Sequence, residues 1–514
     1  MSPIEIALLV LATGLALILG FANSGLPSLW HDELVHVYVA QEIIQDGRPT
    51  LPSGSPYTNG TVYHYVLAAV IFLFGNSEEA VRAPSTVIAA LNVLLTYYVC
   101  RRSLGRRTAL VAGFALALSP WSVAWSRQAG FYAMQEMFFL VTLAMAWHAL
   151  SAKRDKMAVL YALAAAGAYF LAVITAQTSI LFLGPVGGFV ILQMLIERRM
   201  DRRSMVALCL VTLMGVLTIV GYLLFLPELD KQVIFRDSRL GGDFDVEYMS
   251  HELKVRHYYL QWLYQNLGMG FFLLAMLGFI LMPAREGKRG LYVALAFWVP
   301  ILVLTFLLGH RWSRFMYFTF PYYVAAFSYA IVQLWGFVRR SDRSWAHGLA
   351  SVLIVLFGAR VAVSGALQVG DSIEVACGSN ETLVRTHPQW RAPCHFVRDH
   401  LDGGAVISTT WLTADYYVGQ CDEMYPSRLM PWESSENEKG SKGLRDIAEL
   451  KAFMATHPKG FFLAEYVRFQ PWKKLEEDRD FVRRRMVRID EACSEDVDVY
   501  AWGYPEWTGD DRSL

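Results

Sequence analysis

Runs of about twenty apolar residues recur along this chain, each long enough to cross roughly 30 Å of hydrocarbon as a helix. They fall near residues 4–22, 84–100, 107–125, 131–150, 157–175, 177–196, 204–225, 268–284, 291–308, 315–337 and 346–365. Only 18% of the 514 residues are charged while 54% are hydrophobic, too little charge for a soluble surface of that length. The expectation is an α-helical polytopic membrane protein with about eleven transmembrane helices. Ile4 to Phe21 lacks a basic leader and a small-x-small cleavage site, so it reads as a retained first span.

Orientation follows from the loops. Arg101-Arg102 with Arg106-Arg107, Lys153-Arg154 with Lys156, and Arg198-Arg199 with Arg202-Arg203 mark alternate boundaries. Arg285 with Lys288-Arg289, and Arg339-Arg340 with Arg343, complete the series. The positive-inside rule places these loops in the cytoplasm, with the N-terminus inside and the C-terminal tail outside. Val62 to Phe74 is apolar but only about thirteen residues long, short for a span, and crossing would reverse every later basic loop. It is expected to lie on the membrane within a long first external loop, residues 23–83.

Two regions follow: a membrane domain, 1–368, and a soluble extracytoplasmic α/β domain, 369–514. In the tail, helical patterns at 392–401, 444–454 and 472–486 alternate with strand-like runs at 405–410, 461–464 and 498–502. Four of the six cysteines lie there, Cys377, Cys394, Cys421 and Cys493. An even number in an oxidising compartment suggests two disulfides, with three pairings open. Zero net charge gives no reason to expect a nucleic-acid partner, and no Walker-type or Rossmann fingerprint is present.

Charged and aromatic groups collect at the external boundaries. Trp30-His31-Asp32-Glu33 follows the first span, and two adjacent acids beside a membrane helix call for a polar cavity. Ser126-Arg127 and His310-Arg311-Trp312-Ser313-Arg314 place arginines outside, where the orientation rule does not require them. Snorkelling to headgroups is the bland reading; recognition of a phosphate by the guanidinium fork is the sharper one.

In order, these segments resemble a known family. The acid pair Asp32-Glu33, then Tyr57 to Tyr63-His64-Tyr65, Glu79-Ala80-Val81-Arg82-Ala83-Pro84-Ser85, Ser126-Arg127 with Phe131-Tyr132, and Arg314-Phe315 with Pro321 look like the GT-C fold glycosyltransferases. That group contains the protein O-mannosyltransferases and the bacterial aminoarabinose transferase of lipid A. The resemblance covers roughly residues 1–335. Where many relatives carry a second arginine after the Ser-Arg pair, this chain has Ala129-Gly130, which leaves the sugar and acceptor open.

The resemblance implies inverting transfer of a hexose or pentose from a polyprenyl-phosphate-linked donor to a hydroxyl of an envelope lipid or glycan. No inserted repeat domain favours a protein acceptor. It assigns Asp32 as base with Glu33 orienting or substituting, and Arg127, Arg311, Arg314 and Arg82 as donor-phosphate ligands. His31, Tyr57, Tyr63, His64 and Tyr132 are expected to line the substrate cavity. No cofactor is expected. A divalent ion is disfavoured, because His31 and Glu33 point away from the face shared by Asp32 and His36. The setting would be a bacterial inner membrane with the tail on the periplasmic or extracellular side. A lipid-linked-saccharide flippase is the competing class, but its midplane charges and paired broken helices are not evident. A non-catalytic envelope-assembly scaffold is a third reading, against which the presence of Asp32 argues.

Overall fold

A computed structural model describes residues 1–197, 202–225, 257–307, 312–339, 345–376, 388–427, 438–470 and 475–508. The membrane domain runs α1 (Pro3–Phe21), α2 (His31–Asp46), α3 (Thr61–Phe74), α4 (Glu78–Ser103), α5 (Arg106–Ala117), α6 (Pro120–Ser126), α7 (Tyr132–Ser151) and α8 (Asp155–Thr175). It continues through α9 (Leu183–Glu197), α10 (Arg202–Phe225), α11 (Tyr258–Asn266), α12 (Met269–Glu286), α13 (Lys288–Phe306), α14 (Phe320–Val338) and α15 (Trp345–Ala376).

Nine helical segments among the described residues are long and apolar enough to cross a membrane. A tenth is reached when α5 and α6, which meet at 58°, are counted as one broken span; Pro120 opens α6 where its missing N–H costs nothing. The eleventh expected run falls on α10, whose apolar part, Met205–Gly221, is shorter. α3 has 14 residues and so spans only about 21 Å, less than the hydrocarbon thickness. Its last turn, Phe72, Leu73 and Phe74, is largely exposed apolar surface, as suits a helix resting against lipid.

Local chemistry sets the helix ends that matter for the site. Ser2 and Glu5 form a capping box at the start of α1. α2 begins with Asp32 and Glu33 in its first turn, where the helix dipole favours negative charge. It ends at Gly47, which adopts φ +76°, a left-handed cap that glycine takes without strain. α12 and α14 pack closely because position 278 is glycine: a Cβ there would meet the Ala326 carbonyl oxygen at 1.9 Å.

The tail builds one five-stranded sheet, β1 (Ala405–Ser408), β2 (Glu423–Met424), β3 (Gly460–Glu465), β4 (Val487–Arg488) and β5 (Val497–Trp502), in the order β2-β1-β3-β5-β4. β1 runs parallel to β2 and β3, whereas β5 is antiparallel to β3 and β4. β1 and β3 are buried throughout, which accounts for their continuous apolar sequences. Helices α16 (Arg391–His400), α17 (Trp411–Val418), α18 (Ile447–Thr456) and α19 (Glu476–Arg485) accompany the sheet. α15 runs past the composition change at Gly370 to Ala376.

The expectation of two disulfides needs correction. Cys394, Cys421 and Cys493 are all free thiols, and Cys377 lies outside the described residues. Two bridges among four cysteines require at least one pair within those three. Each thiol instead has its own place in the fold: Cys394 is fully buried, Cys421 Sγ contacts the Glu423 carbonyl at 3.6 Å, and Cys493 Sγ contacts the Ile489 carbonyl at 3.2 Å.

Candidate active site

The two acids at the start of α2 are consecutive, so they point about 100° apart around the helix and meet different surroundings. Glu33 turns inward and is 1% exposed. Its Oε1 accepts from Arg82 Nε and from the Ala129 N–H, both at 2.8 Å. Its Oε2 accepts from Arg82 Nη2 at 2.8 Å and from the Trp30 N–H at 3.3 Å. Four donors fill the acceptor capacity of a carboxylate, so no lone pair remains for a substrate proton.

Arg82 is equally committed. Besides its two bonds to Glu33, Nη1 donates to the carbonyls of Ser24 (2.5 Å) and Pro27 (2.8 Å), and Nη2 to that of Ser28 (3.2 Å). All five guanidinium hydrogens are used. Arg127 closes the other end of the same loop. It donates to the carbonyls of Leu19, Ala22 and Asn23, covering the C-terminal acceptors of α1. Two of the four arginines expected to meet phosphate are therefore spent on holding the loop between α1 and α2.

Asp32 turns the other way and keeps 39% of its side chain exposed. Arg314 Nη1 donates to its Oδ2 at 2.9 Å. Arg314 comes from the 3-10 turn Ser313–Thr319 that precedes α14, and its guanidinium packs over the rings of Trp312 and Phe315. Its Nε has no hydrogen-bond partner among the described residues. Tyr57 and Tyr132 lie within electrostatic reach of this ion pair. The pair thus joins an accessible carboxylate to a guanidinium with a spare donor, framed by two phenols. Arg311 lies outside the described residues.

Behind Asp32, one helical turn along the same face, His36 Nδ1 meets His64 Nε2 at 2.7 Å. Tyr57, Tyr63 and Phe131 crowd the His36 ring at 5.6–6.2 Å between centroids. Gly60, at φ +107°, leaves the room: a Cβ there would stand 3.0 Å from His64 Nε2 and 3.1 Å from the Phe131 ring. Tyr63 is fully buried and bonds Ser85 Oγ at 3.1 Å, so it supports the wall rather than facing the cavity. His31 faces away as well, its Nε2 lying 3.2 Å from Glu438 of the tail.

Burial pushes the His36 imidazole down to about 4, and burial with the His36 neighbour holds His64 well below the usual histidine range. Both rings are then neutral near pH 7, and one ring N–H serves the shared bond. Unfolded histidines titrate near 6.5, so below that pH the unfolded chain binds protons that the folded pair refuses. Stability should therefore fall as pH drops from about 6.5 toward 4, by about 1.4 kcal/mol per pH unit for each histidine. Thermal unfolding in detergent at pH 7, 6 and 5 reads this, and His36→Gln should flatten the slope. An identical slope in that variant would mean that the pair is not buried neutral.

Sequence reasoning missed one intramembrane acid. Glu136 is fully buried in α7, one turn from Tyr132, and its Oε2 accepts from Asn92 Nδ2 at 2.7 Å. The signal was a lone acid inside the apolar run 131–150. A cavity of about 530 Å³ also opens in the membrane domain, lined by apolar side chains including Leu8, Phe114, Leu118, Phe271, Phe320 and Phe327. Phe320 begins α14 directly after the turn that carries Arg314. Among the described residues, no group of three or more histidines, cysteines or acids is placed to hold a metal ion.

Residues 58–222 match the family model described as dolichyl-phosphate-mannose-protein mannosyltransferase. Among curated protein sequences there is no match. Among solved structures, ArnT from Cupriavidus metallidurans bound to undecaprenyl phosphate aligns over 96% of this chain and 97% of its own, with TM-score 0.65 and 14% identity. The oligosaccharyltransferase AglB from Archaeoglobus fulgidus, in complex with an inhibitory peptide and a dolichol-phosphate, aligns over 95% of this chain and 72% of its own, with TM-score 0.60 and 12% identity.

Proposed function

From the premise that this chain has the GT-C fold of membrane glycosyltransferases, we propose that it transfers one sugar, with inversion, from a polyprenyl-phosphate donor to a hydroxyl of an envelope lipid or glycan. The observation that carries the reading is the Asp32–Arg314 pair, in which a partly exposed carboxylate meets a guanidinium whose Nε has no hydrogen-bond partner among the described residues.

Asp32 takes the proton of the acceptor hydroxyl as its oxygen attacks the anomeric carbon. The bond from that carbon to the phosphate oxygen breaks on the opposite face, and its electron pair leaves with the polyprenyl phosphate. Arg314 meets the departing charge through its remaining guanidinium hydrogens, while Nη1 holds Asp32 in aim. Tyr57 and Tyr132 supply hydroxyls beside the reacting centre. Arg314, not a metal, is the cation of this scheme. The apolar cavity beyond Phe320 is suited to part of the carrier's hydrocarbon chain. The alternating basic loops support a cytoplasmic N-terminus, with this site and the tail on the external, periplasmic side.

The test uses undecaprenyl phosphate as probe. Arg314→Ala should weaken its binding about 10- to 100-fold, the worth of a lost charge-assisted hydrogen bond. Transfer should fall as well, since the phosphate is present in ground state and transition state alike. Unchanged binding and unchanged transfer in a folded Arg314→Ala variant would overturn the reading.

A further inference from the structure

α2 is gripped from two sides. Asp32 and His36 lie one turn apart on the face toward the site, while His31 and Tyr38, seven residues apart and so on one stripe, face the tail. His31 Nε2 lies 3.2 Å from Glu438 Oε1, with both side chains under a tenth exposed. Tyr38 donates to Asp415 Oδ2 at 2.6 Å, and its ring packs 5.8 Å from that of Trp411. Glu438 also accepts the Ser53 N–H on its carbonyl at 2.9 Å, tying the first loop to the same point. The neighbouring Lys439 donates to the carbonyls of Cys421 (2.7 Å) and Asp422 (2.8 Å), so Glu438 stands on the tail's own framework. Just before α2, the Leu29 N–H donates to the Tyr417 hydroxyl at 2.6 Å and Arg391 N–H to Ser28 Oγ at 3.1 Å.

We infer that the soluble tail is a positioning element of the active site: Glu438 and Asp415 fix the rotation of α2 through His31 and Tyr38, and so hold Asp32 toward Arg314. The inference rests on the reading of Asp32 as base. Rotation matters because Asp32 directly follows His31, so a turn of the helix that frees His31 swings the carboxylate away from the guanidinium. Misplacing a catalytic group by about 1 Å costs up to about a hundredfold in rate.

Two measurements on the full-length chain test this. In the first, Asp32→Cys/Arg314→Cys in a Cys209→Ser/Cys377→Ser/Cys493→Ser background is cross-linked with a short bifunctional thiol reagent. Adding Glu438→Ala or Asp415→Ala, which remove the acceptor oxygens, should slow cross-linking several-fold. Arg285→Cys/Gln333→Cys, a contacting pair between α12 and α14, serves as control and should be unaffected. In the second, transfer is assayed with undecaprenyl-phosphate-linked hexoses and pentoses against an envelope-lipid extract. Glu438→Ala should lower kcat about tenfold with little change in undecaprenyl phosphate binding, Glu438→Gln, which keeps an acceptor oxygen, should recover part of it, and Glu438→Ala should cost nothing further in an Asp32→Asn background. Cross-linking at the parent rate in both tail variants overturns the inference, as does an equal loss of kcat in the Asp32→Asn background. Should Asp32→Asn itself transfer normally, the base assignment fails, while the cross-linking still decides whether the tail orients α2.

Discussion

Asp32→Asn should bind undecaprenyl phosphate as the parent does and lose at least about a hundredfold in sugar transfer, the usual range for a general base. The amide keeps the size of the side chain and can still accept from Arg314 Nη1 through its oxygen, so the site stays assembled. What disappears is the ability to take a proton. Glu33 cannot stand in, because Arg82, Trp30 and Ala129 fill its acceptor positions. The measurement is transfer by purified, folded protein, beside binding of the probe lipid. Parent-like transfer in Asp32→Asn would end the case for this base. Binding lost together with transfer would assign Asp32 to the donor site instead.

Arg82→Ala should be the most damaging substitution for folding. It strands a carboxylate that is 1% exposed and leaves the carbonyls of Ser24, Pro27 and Ser28 without their donors. Breaking a buried pair from one side costs about 3–5 kcal/mol, a large share of the stability of a typical domain. Arg82→Lys should not rescue, since one ammonium cannot reach five oxygens spread around a planar fork. Arg82→Met with Glu33→Leu should be milder than Arg82→Ala alone, because no charge is left behind. Yield and thermal unfolding in detergent decide the matter. A stable Arg82→Ala protein with weakened undecaprenyl phosphate binding would return Arg82 to the carrier site.

Much of this was legible in the sequence, for reasons that can be named. Spans are written in continuous apolar runs: of the eleven, nine fall on helical segments long and apolar enough to cross, one on the bent α5–α6 pair and one on α10. The chemistry of the boundary residues singled out Asp32 and Arg314, which lie 282 positions apart and meet at 2.9 Å. Residue type could not sort the arginines by task. Arg82, Arg127 and Arg314 are the same side chain, and only the carbonyls of residues 19–28 distinguish two of them as braces. Adjacent Asp32 and Glu33 likewise read as one acid pair until the helix separates them. In the tail, β2 and β4 are two residues each, too short for any periodicity to show. The contact of His31 with Glu438 joins positions with no shared motif.

The Glu33–Arg82 pair also bears on how the chain is made. Arg82 stands in the first turns of α4, at a point where an unpaired guanidinium beside hydrocarbon is costly. Its partner is 49 residues nearer the N-terminus, so it leaves the ribosome first. The carboxylate is thus already made when Arg82 emerges, and α4 need not settle with its charge unmatched. Exchanging these two side chains would set a guanidinium against the Trp30 and Ala129 N–H groups and a carboxylate against the carbonyls of Ser24, Pro27 and Ser28, so the order of synthesis and the hydrogen bonds favour the same arrangement. The ion pair therefore has a direction in time as well as in space, its acceptor made before its donor.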